Sequence, residues 1–444
     1  MRVAAVADPR ILLVTYNWPP RNTIATHRSY AWAKYWSEAG AKVTVLTARK
    51  IASDEPLDLN LPTLSGVRVV EVPFARAQMA VLTPLIKNSV IRKYLAGIRK
   101  FVRRNSALAI DPRAAWRDAA RPYLPELVAG HDFVVSTYGP DTSHFIANDL
   151  MAIRPDLFWV ADYRDLWSQN PMRPWSREIR DRMASLERAS VGAHADLVTA
   201  VSEDMIVQLS GLFSRDFFMS MNGFDASESE VLSNIEQKDA RESERPIIIA
   251  HTGSIYKGHT DPTPLLEAIA GMIEAGEIEA DAIRVEFYGS NLHELDALAG
   301  EPRFRRFVHL GGYVDLDTSR RIQRNADLLL LLISDDPASK GIITGKVFEY
   351  MISGSPLLCL CPEGFEVRAV VDGTGVGVGV DGQDRKGIEK VLRDVIDRNR
   401  RPDWFAPRIQ QIMEYSRKKL ALSLLDEMVA RRIRRQHSDR PTAS

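Results

Sequence analysis

The chain alternates short apolar runs with segments whose apolar positions recur at helical spacing. "RILLVTY" (10–16) leads into the turn-rich "NWPPRNTIA", then the helical pattern "THRSYAWAKYWSEAG", which stops on Gly40, then "AKVTVLTA". Strand, loop, helix, glycine and strand make a βαβ unit, which requires a parallel sheet covered by helices. The theme returns in "DFVVSTYG" (132–139), "LFWVADYRD" (157–165) and "ADLVTAVS" (195–202). Near-continuous Val, Ile, Leu and Phe fit strands buried on both faces. Residues 226–245, "ASESEVLSNIEQKDARESER", are charged and serine-rich, and read as a linker. Beyond them the alternation restarts: "PIIIAHTGS" before a helix, "IRVEFYGS" before another, then "FVHLGGYV", "ADLLLLLIS" and "SPLLCLCP". The pattern predicts an α/β protein of two halves, 1–225 and 246–405, joined by 226–245. An amphipathic helix is expected over 406–435, and disorder over 436–444. Ligands of open α/β sheets bind outside the carboxyl ends of the strands, so a substrate is expected between the halves.

Length supports more than one core: 444 residues exceed the roughly 150 of an ordinary domain. Lys plus Arg equals Asp plus Glu, 58 each, so no global charge attracts nucleic acid or anionic lipid. The two cysteines, Cys359 and Cys361, lie in the apolar "PLLCLCP" and read as core residues, too few for a disulfide framework or a zinc site. No apolar run reaches signal-peptide or membrane-span length, which points to the cytoplasm. One local charge stands out. Residues 85–104, "LIKNSVIRKYLAGIRKFVRR", carry seven Lys or Arg, no acid, and apolar positions at helical spacing. Such a helix lies on an anionic membrane surface or packs on the core with a solvated basic face, and both readings stand.

Three loops in the second half carry candidate chemistry. "HTGSIYKGH" (251–259) places Gly253, Ser254 and Lys257 after a strand; glycine admits close backbone approach and lysine offers a point charge for phosphate. "FYGSN" (287–291) and "HLGGYV" (309–314) end two more strands. "GKVFEYMISGSP" (345–356) opens a helix with Gly345 and Lys346 and sets Glu349 one turn inside. A bare helix start with a cation suits an anion, and a carboxylate beside it suits sugar hydroxyls; phosphate at the tip with ribose alongside is a nucleotide layout. The competing reading makes Glu349 a solvated first-turn residue. A nicotinamide site has no support, because "NWPPRNTIATHR" lacks glycine. In the first half, Asp162, Arg164 and Asp165 end the strand in "VADYRDLW", as a structural ion pair or as groups facing substrate. "STYGPDTSH" (136–144) holds Tyr138, Gly139, Pro140 and His144.

With these residues in view, the chain resembles the bacterial family-four retaining glycosyltransferases, the glycosyl transferase four-like group of the GT-B fold. The matching pieces run in order over residues 10–430: "WPP" with Arg28, "VTVLTA", "WVADYRDLW", "ADLVTAVSEDM", "NGFD", "GSIYKG", "FYGS" and "GKVFEYMISGSP". The resemblance implies two Rossmann-like domains facing across a cleft, with the C-terminal helix crossing back to the first. It implies transfer of a sugar from a nucleotide-diphosphate donor to a glycan or lipid-linked acceptor, with retention, no cofactor and no required metal. On the donor it places Gly253, Ser254, Lys257, Gly312, Tyr313, Gly345, Lys346, Val347 and Glu349. Lys257 matches the diphosphate lysine and Glu349 the ribose glutamate. On the acceptor side the expected residues are Arg28, Tyr138 and His144, with Asp165 and then Asp162 orienting acceptor or sugar and Arg164 on phosphate. Three positions depart from the family pattern: Gly341 replaces a common glutamate, Ser254 a common arginine, and Arg164-Asp165 a common His-Asp pair. A sugar-nucleotide epimerase and a non-catalytic nucleotide-binding subunit are the alternatives.

Overall fold

The structure, a computed structural model, describes residues 8–50, 54, 56–74, 112–170, 173, 175–237, 245–397 and 402–438. The basic segment 85–104 lies outside the described residues. The chain forms two units: one runs to Asn222 and resumes at Arg417, and the other is Gly223–Ser416.

The first unit is a parallel sheet of β1 (Arg10–Val14), β2 (Lys42–Ala48), β3 (Val67–Val72), β4 (Phe133–Thr137), β5 (Phe158–Tyr163), β6 (Leu197–Ala200) and β7 (Phe217–Met219). Their order is β3-β2-β1-β4-β5-β6-β7, so the winding reverses between β1 and β4. Both faces of β1, β2, β4, β5 and β6 are covered, which is why these strands are largely apolar without alternation, whereas the edge strand β3 is mostly exposed and carries Arg68 and Glu71. Trp116, Trp159 and Trp167 pack one face. On the other, the helix Ile24–Glu38 sets Trp32 and Trp36 against Ala421, Leu424 and Met428 of the tail helix Arg417–Ser438. The Trp36 indole N–H donates to the Ala421 carbonyl at 2.7 Å.

The second unit repeats the design with β8 (Ile247–Thr252), β9 (Ile283–Tyr288), β10 (Val308–Gly312), β11 (Leu328–Leu332), β12 (Leu357–Leu360) and β13 (Gly377–Val380). The order is β10-β9-β8-β11-β12-β13, all parallel, with the reversal between β8 and β11. Two Rossmann-like domains are therefore present, as expected. Cys359 and Cys361 are buried, free thiols in this core.

Two expected boundaries shift. Residues 228–236 of the expected linker form a helix: Ser227 caps it by accepting from the Glu230 N–H, and Val231 is buried. A single good cap and one buried anchor outweigh a polar composition that suggested open chain. The expected tail helix is two helices, Ile409–Met413 in the second unit and Arg417–Ser438 in the first, so helix also covers 436–438.

A buried ion pair ties the first sheet together. Arg28 donates to both Asp162 oxygens, at 3.2 and 2.7 Å, and to the carbonyls of Ser220 and Met221, at 2.7 Å each. Asp162 also accepts from Thr137 on β4 and Thr199 on β6. Side-chain exposure is 4% for Arg28 and 0% for Asp162, so neither meets a substrate. This corrects the expectation that Arg28 contacts acceptor and Asp162 orients it: every carboxylate lone pair is already used. Glu187 is a second buried acid. Its Oε2 accepts from the Ser168 N–H at 3.2 Å, and burial pushes its carboxyl up to about 7.

Asp162→Asn leaves the Arg28 guanidinium buried against a neutral amide and is expected to lower the unfolding free energy by about 3–5 kcal/mol, read by denaturant titration. An unchanged midpoint with lost activity would restore Asp162 to a substrate-facing role. Glu187 has a folded-state pKa above its unfolded value, so its contribution is full below pH ~4.5 and fades as pH rises through about 7. Glu187→Gln should gain about 3 kcal/mol relative to the parent chain between pH 5 and pH 8, with the difference built up across that window.

Candidate functional site

At the reversal point of the second sheet, β8 and β11 pair only through Ile249–Leu328 and Ala250–Leu329. Beyond those positions side chains hold β8. His251 is buried, with Nδ1 2.9 Å from the Leu330 carbonyl; the N–H therefore sits on Nδ1. Burial, then the positive charge of Lys346, lowers the His251 pKa to about 3, so the ring stays neutral. Tyr350 Oη accepts from the Thr252 N–H at 2.8 Å and donates to the Thr252 carbonyl at 3.2 Å. Tyr350 belongs to the helix Gly345–Met351, the predicted "GKVFEYM". One hydroxyl thus fixes that helix against the end of β8.

The fixed helix lays Lys346 across Gly253. A Cβ on Gly253 would stand 1.7 Å from Lys346 Cε, so any side chain here would displace the lysine from this position. Gly253 has φ +148°, and its N–H donates to the Tyr288 carbonyl at the end of β9. Gly289 is as constrained: a Cβ there would lie 2.3 Å from the Gly253 carbonyl oxygen. Its N–H donates to the Gly312 carbonyl, so the ends of β8, β9 and β10 meet as bare backbone.

Lys346 is mostly buried, and burial lowers its pKa, opposed by the Glu349 charge. No carboxylate among the described residues lies within ion-pair distance of its ammonium. Glu349 is partly buried, and its Oε2 accepts from Gln323 Nε2 at 3.4 Å. Gln323 is buried and also donates to Thr252 Oγ1 at 2.9 Å and Ser319 Oγ at 3.2 Å. A desolvated cation beside a held carboxylate, at the carboxyl edge and reversal point of a parallel sheet, is equipped for a ligand carrying both anionic and hydroxyl groups.

The structure brings Gly253, Lys346 and Glu349 together at one edge, and places other expected residues differently. The helix tip is not bare: the Lys346 N–H donates to Thr344 Oγ1 and the Val347 N–H to the Thr344 carbonyl. Val347 turns its side chain into the core. Lys257 is 85% exposed, with its ammonium 3.7 Å from Glu294, so the desolvated lysine of this edge is Lys346. Ser254 is partly buried, and Tyr313 follows Gly312 as an exposed ring. His251, Tyr350 and Gln323 were not anticipated as site residues. Gln323 is the buried position of an otherwise hydrophilic helix, Leu316–Asn325, and no periodicity marks it.

In the first unit, Tyr138 and His144 are buried rather than presented to an acceptor. Tyr138 stacks on Tyr163 at 6.1 Å between centroids. His144 Nδ1 lies 2.8 Å from Ser136 Oγ, and burial takes its pKa down to about 3. Arg164 pairs with Asp165 at 3.1 Å, and its Nε donates to the Tyr138 carbonyl at 3.0 Å. Of these residues Asp165 is the one open to solvent, with half its side chain exposed. Among the described residues, no group of three or more His, Cys, Asp or Glu is placed to hold a metal. No described helix is long and apolar enough to cross a membrane.

No protein-family model matches the chain, and no curated protein matches it. Solved structures do. Sucrose-phosphate synthase from Thermosynechococcus elongatus superposes with a TM-score of 0.61 at 14% identity, covering 96% of this chain and 100% of the other. HepE from Anabaena, solved with UDP and glucose, gives 0.58 at 13% identity, covering 95% and 99%. WaaG, a glycosyltransferase involved in lipopolysaccharide biosynthesis, gives 0.55 at 15% identity, covering 94% and 99%. At such identities the likeness establishes the architecture: the chain has the GT-B fold over nearly its whole length.

Proposed function

We propose that the chain is a retaining glycosyltransferase that takes a sugar from a nucleotide-diphosphate donor bound at the carboxyl edge of the second sheet. The observation that carries the reading is Lys346, a mostly buried ammonium with no ion-pair partner among the described residues, set beside Glu349. Desolvating a cation is unfavourable unless an anion compensates it, and a diphosphate does so. Glu349, held by Gln323, accepts hydrogen bonds from ribose hydroxyls; Tyr313 and Gly312 flank the base. Beside Gly253, whose N–H is taken by the Tyr288 carbonyl, the backbone N–H groups of Ser254 and Gly345 serve the phosphates, and exposed Lys257 adds charge at the rim.

In the reaction the bond from the anomeric carbon to the β-phosphate oxygen breaks, and a bond from the acceptor oxygen to that carbon forms. The acceptor's proton passes to a departing phosphate oxygen. Lys346 stabilises the charge that develops there, where low polarity strengthens the interaction. Asp165, steadied by Arg164, is the carboxylate proposed to orient the acceptor. The acceptor class is a glycan or lipid-linked glycan, without metal or nucleic acid. The proposed setting is the cytoplasm, with residues 85–104 as the segment that would touch the membrane.

UDP is the first nucleotide to test, because HepE was solved with it. Calorimetry should show saturable UDP binding by the parent chain. Lys346→Gln and Glu349→Gln should each lose about 2 kcal/mol, roughly thirtyfold in Kd. Lys346→Gln should melt no lower than the parent without ligand, since it removes an uncompensated buried charge. Full UDP affinity in both variants would refute the assignment. Tyr350→Phe strips the Thr252 N–H of its acceptor and is expected to cost about 1–3 kcal/mol of stability in denaturant titration.

A further inference from the structure

A second concentration of positive charge lies within the first unit, at the carboxyl ends of β1, β2, β4 and β5. Its centre is Tyr16, a fully buried ring just past β1. Three cations surround that ring: Lys50 Nζ is 5.0 Å from its centroid, the Arg113 guanidinium 5.2 Å and the Arg21 guanidinium 5.6 Å. Arg164 joins them electrostatically, since it and Arg113 both act to lower the Arg21 pKa, as Arg21 does that of Lys50. Cation–π attraction favours each contact, but the cations repel one another. Carboxylates among the described residues oppose them, with Asp54 acting on both Arg21 and Lys50, and Glu71 on Lys50. Asp54 accepts from the Tyr16 hydroxyl at 2.8 Å, Asp165 pairs with Arg164, and Glu71 is an exposed strand residue.

Arg21 and Lys50 are held in place, and part of the donor capacity of Arg21 is unused. Arg21 Nη1 donates to Asn17 Oδ1 at 2.7 Å, and Asn17 in turn donates to the Gly139 carbonyl at 2.7 Å. Arg21 Nε is buried with no hydrogen-bond partner. Lys50 donates to Thr47 Oγ1 and the Ala48 carbonyl, neither of which carries charge. Burial lowers its pKa to about 8, so much of its hydration is already stripped. Buried donors without acceptors and clustered like charges both resolve when an anion binds among them.

We infer that this edge of the first unit binds a phosphate group, through Arg21, Lys50 and Arg113, and that the acceptor substrate carries it. The assignment of the phosphate to the acceptor rests on the glycosyltransferase reading; the anion site itself does not. A soluble phosphate ester and a phosphate on a lipid present the same chemistry here.

The probe is inorganic pyrophosphate, titrated calorimetrically into full-length Lys346→Gln, in which the proposed donor site lacks its cation. Binding should persist there and weaken by about tenfold or more when Arg21→Gln and Lys50→Gln are added. Arg113→Gln, a single change, should weaken it several-fold and serves if the combined variant does not fold. The Arg21→Gln/Lys50→Gln pair in the parent chain should leave UDP affinity unchanged. Pyrophosphate binding indifferent to Arg21, Lys50 and Arg113, or absent from Lys346→Gln, overturns the inference and leaves the donor assignment intact. Failure of UDP to bind any protein refutes the donor assignment and leaves the phosphate site standing. Flotation with phosphatidylcholine vesicles, with and without phosphatidic acid, separates the sources. Recovery that needs phosphatidic acid and Arg21 supports a lipid phosphate, whereas pyrophosphate binding without recovery supports a soluble one.

Discussion

The second unit is organised by a shortfall in its sheet. Past Ala250 and Leu329 the ladder between β8 and β11 stops, and backbone groups at the end of β8 need other partners. The Tyr350 hydroxyl serves both the N–H and the carbonyl of Thr252, and His251 reaches the Leu330 carbonyl. Because Tyr350 lies one turn beyond Lys346 on the same helix, the hydrogen bonds that repair the sheet also press Lys346 over Gly253. The candidate site and the local stability of the sheet therefore share one anchor. A lysine that is otherwise free to reach water is held where water is scarce.

Charges separate into two kinds across both units, and the distinction is the presence of a counter-ion. Arg28 and Asp162 are buried together, and every polar atom has a partner, so their role is to bind three strands and a helix to one another. Lys346, Arg21 and Lys50 are also withdrawn from water, yet no carboxylate among the described residues lies within ion-pair distance of them. A satisfied pair holds structure and repels ligands, whereas an unsatisfied cation invites an anion. On this criterion the motif residues Asp162 and Arg28 are scaffold. The less conspicuous Arg21 and Lys50 are exposed to function.

Much of the fold was legible along the chain. Strands β1, β2, β4, β5, β6, β8, β11 and β12 read as mostly apolar runs, because burial on both faces disfavours polar side chains without partners, and β9 shows as an apolar–polar alternation. Other elements are silent for physical reasons. β13 reads "GVGV": its glycines admit close approach, a Cβ on Gly377 falling 2.0 Å from the Leu357 carbonyl oxygen, and they weaken the strand signature. The helix Glu228–Glu236 is short and polar, and its anchor is a single valine, so composition pointed to a linker.

The order of apolar runs and glycines by itself determined the doubly wound α/β architecture and the strand ends that carry chemistry, since burial and turn geometry are written in neighbouring residues. Lys346 and Glu349 stood out for the same reason, three positions apart on one helix. Only the tertiary structure decided which charges have partners. Arg28 meets Asp162 across 134 positions, Gln323 meets Thr252 across 71, and Arg21, Lys50 and Arg113 converge on Tyr16 from separate elements. Whether a charge is paired depends on what the fold brings within a few ångströms of it, and local spacing carries no record of that.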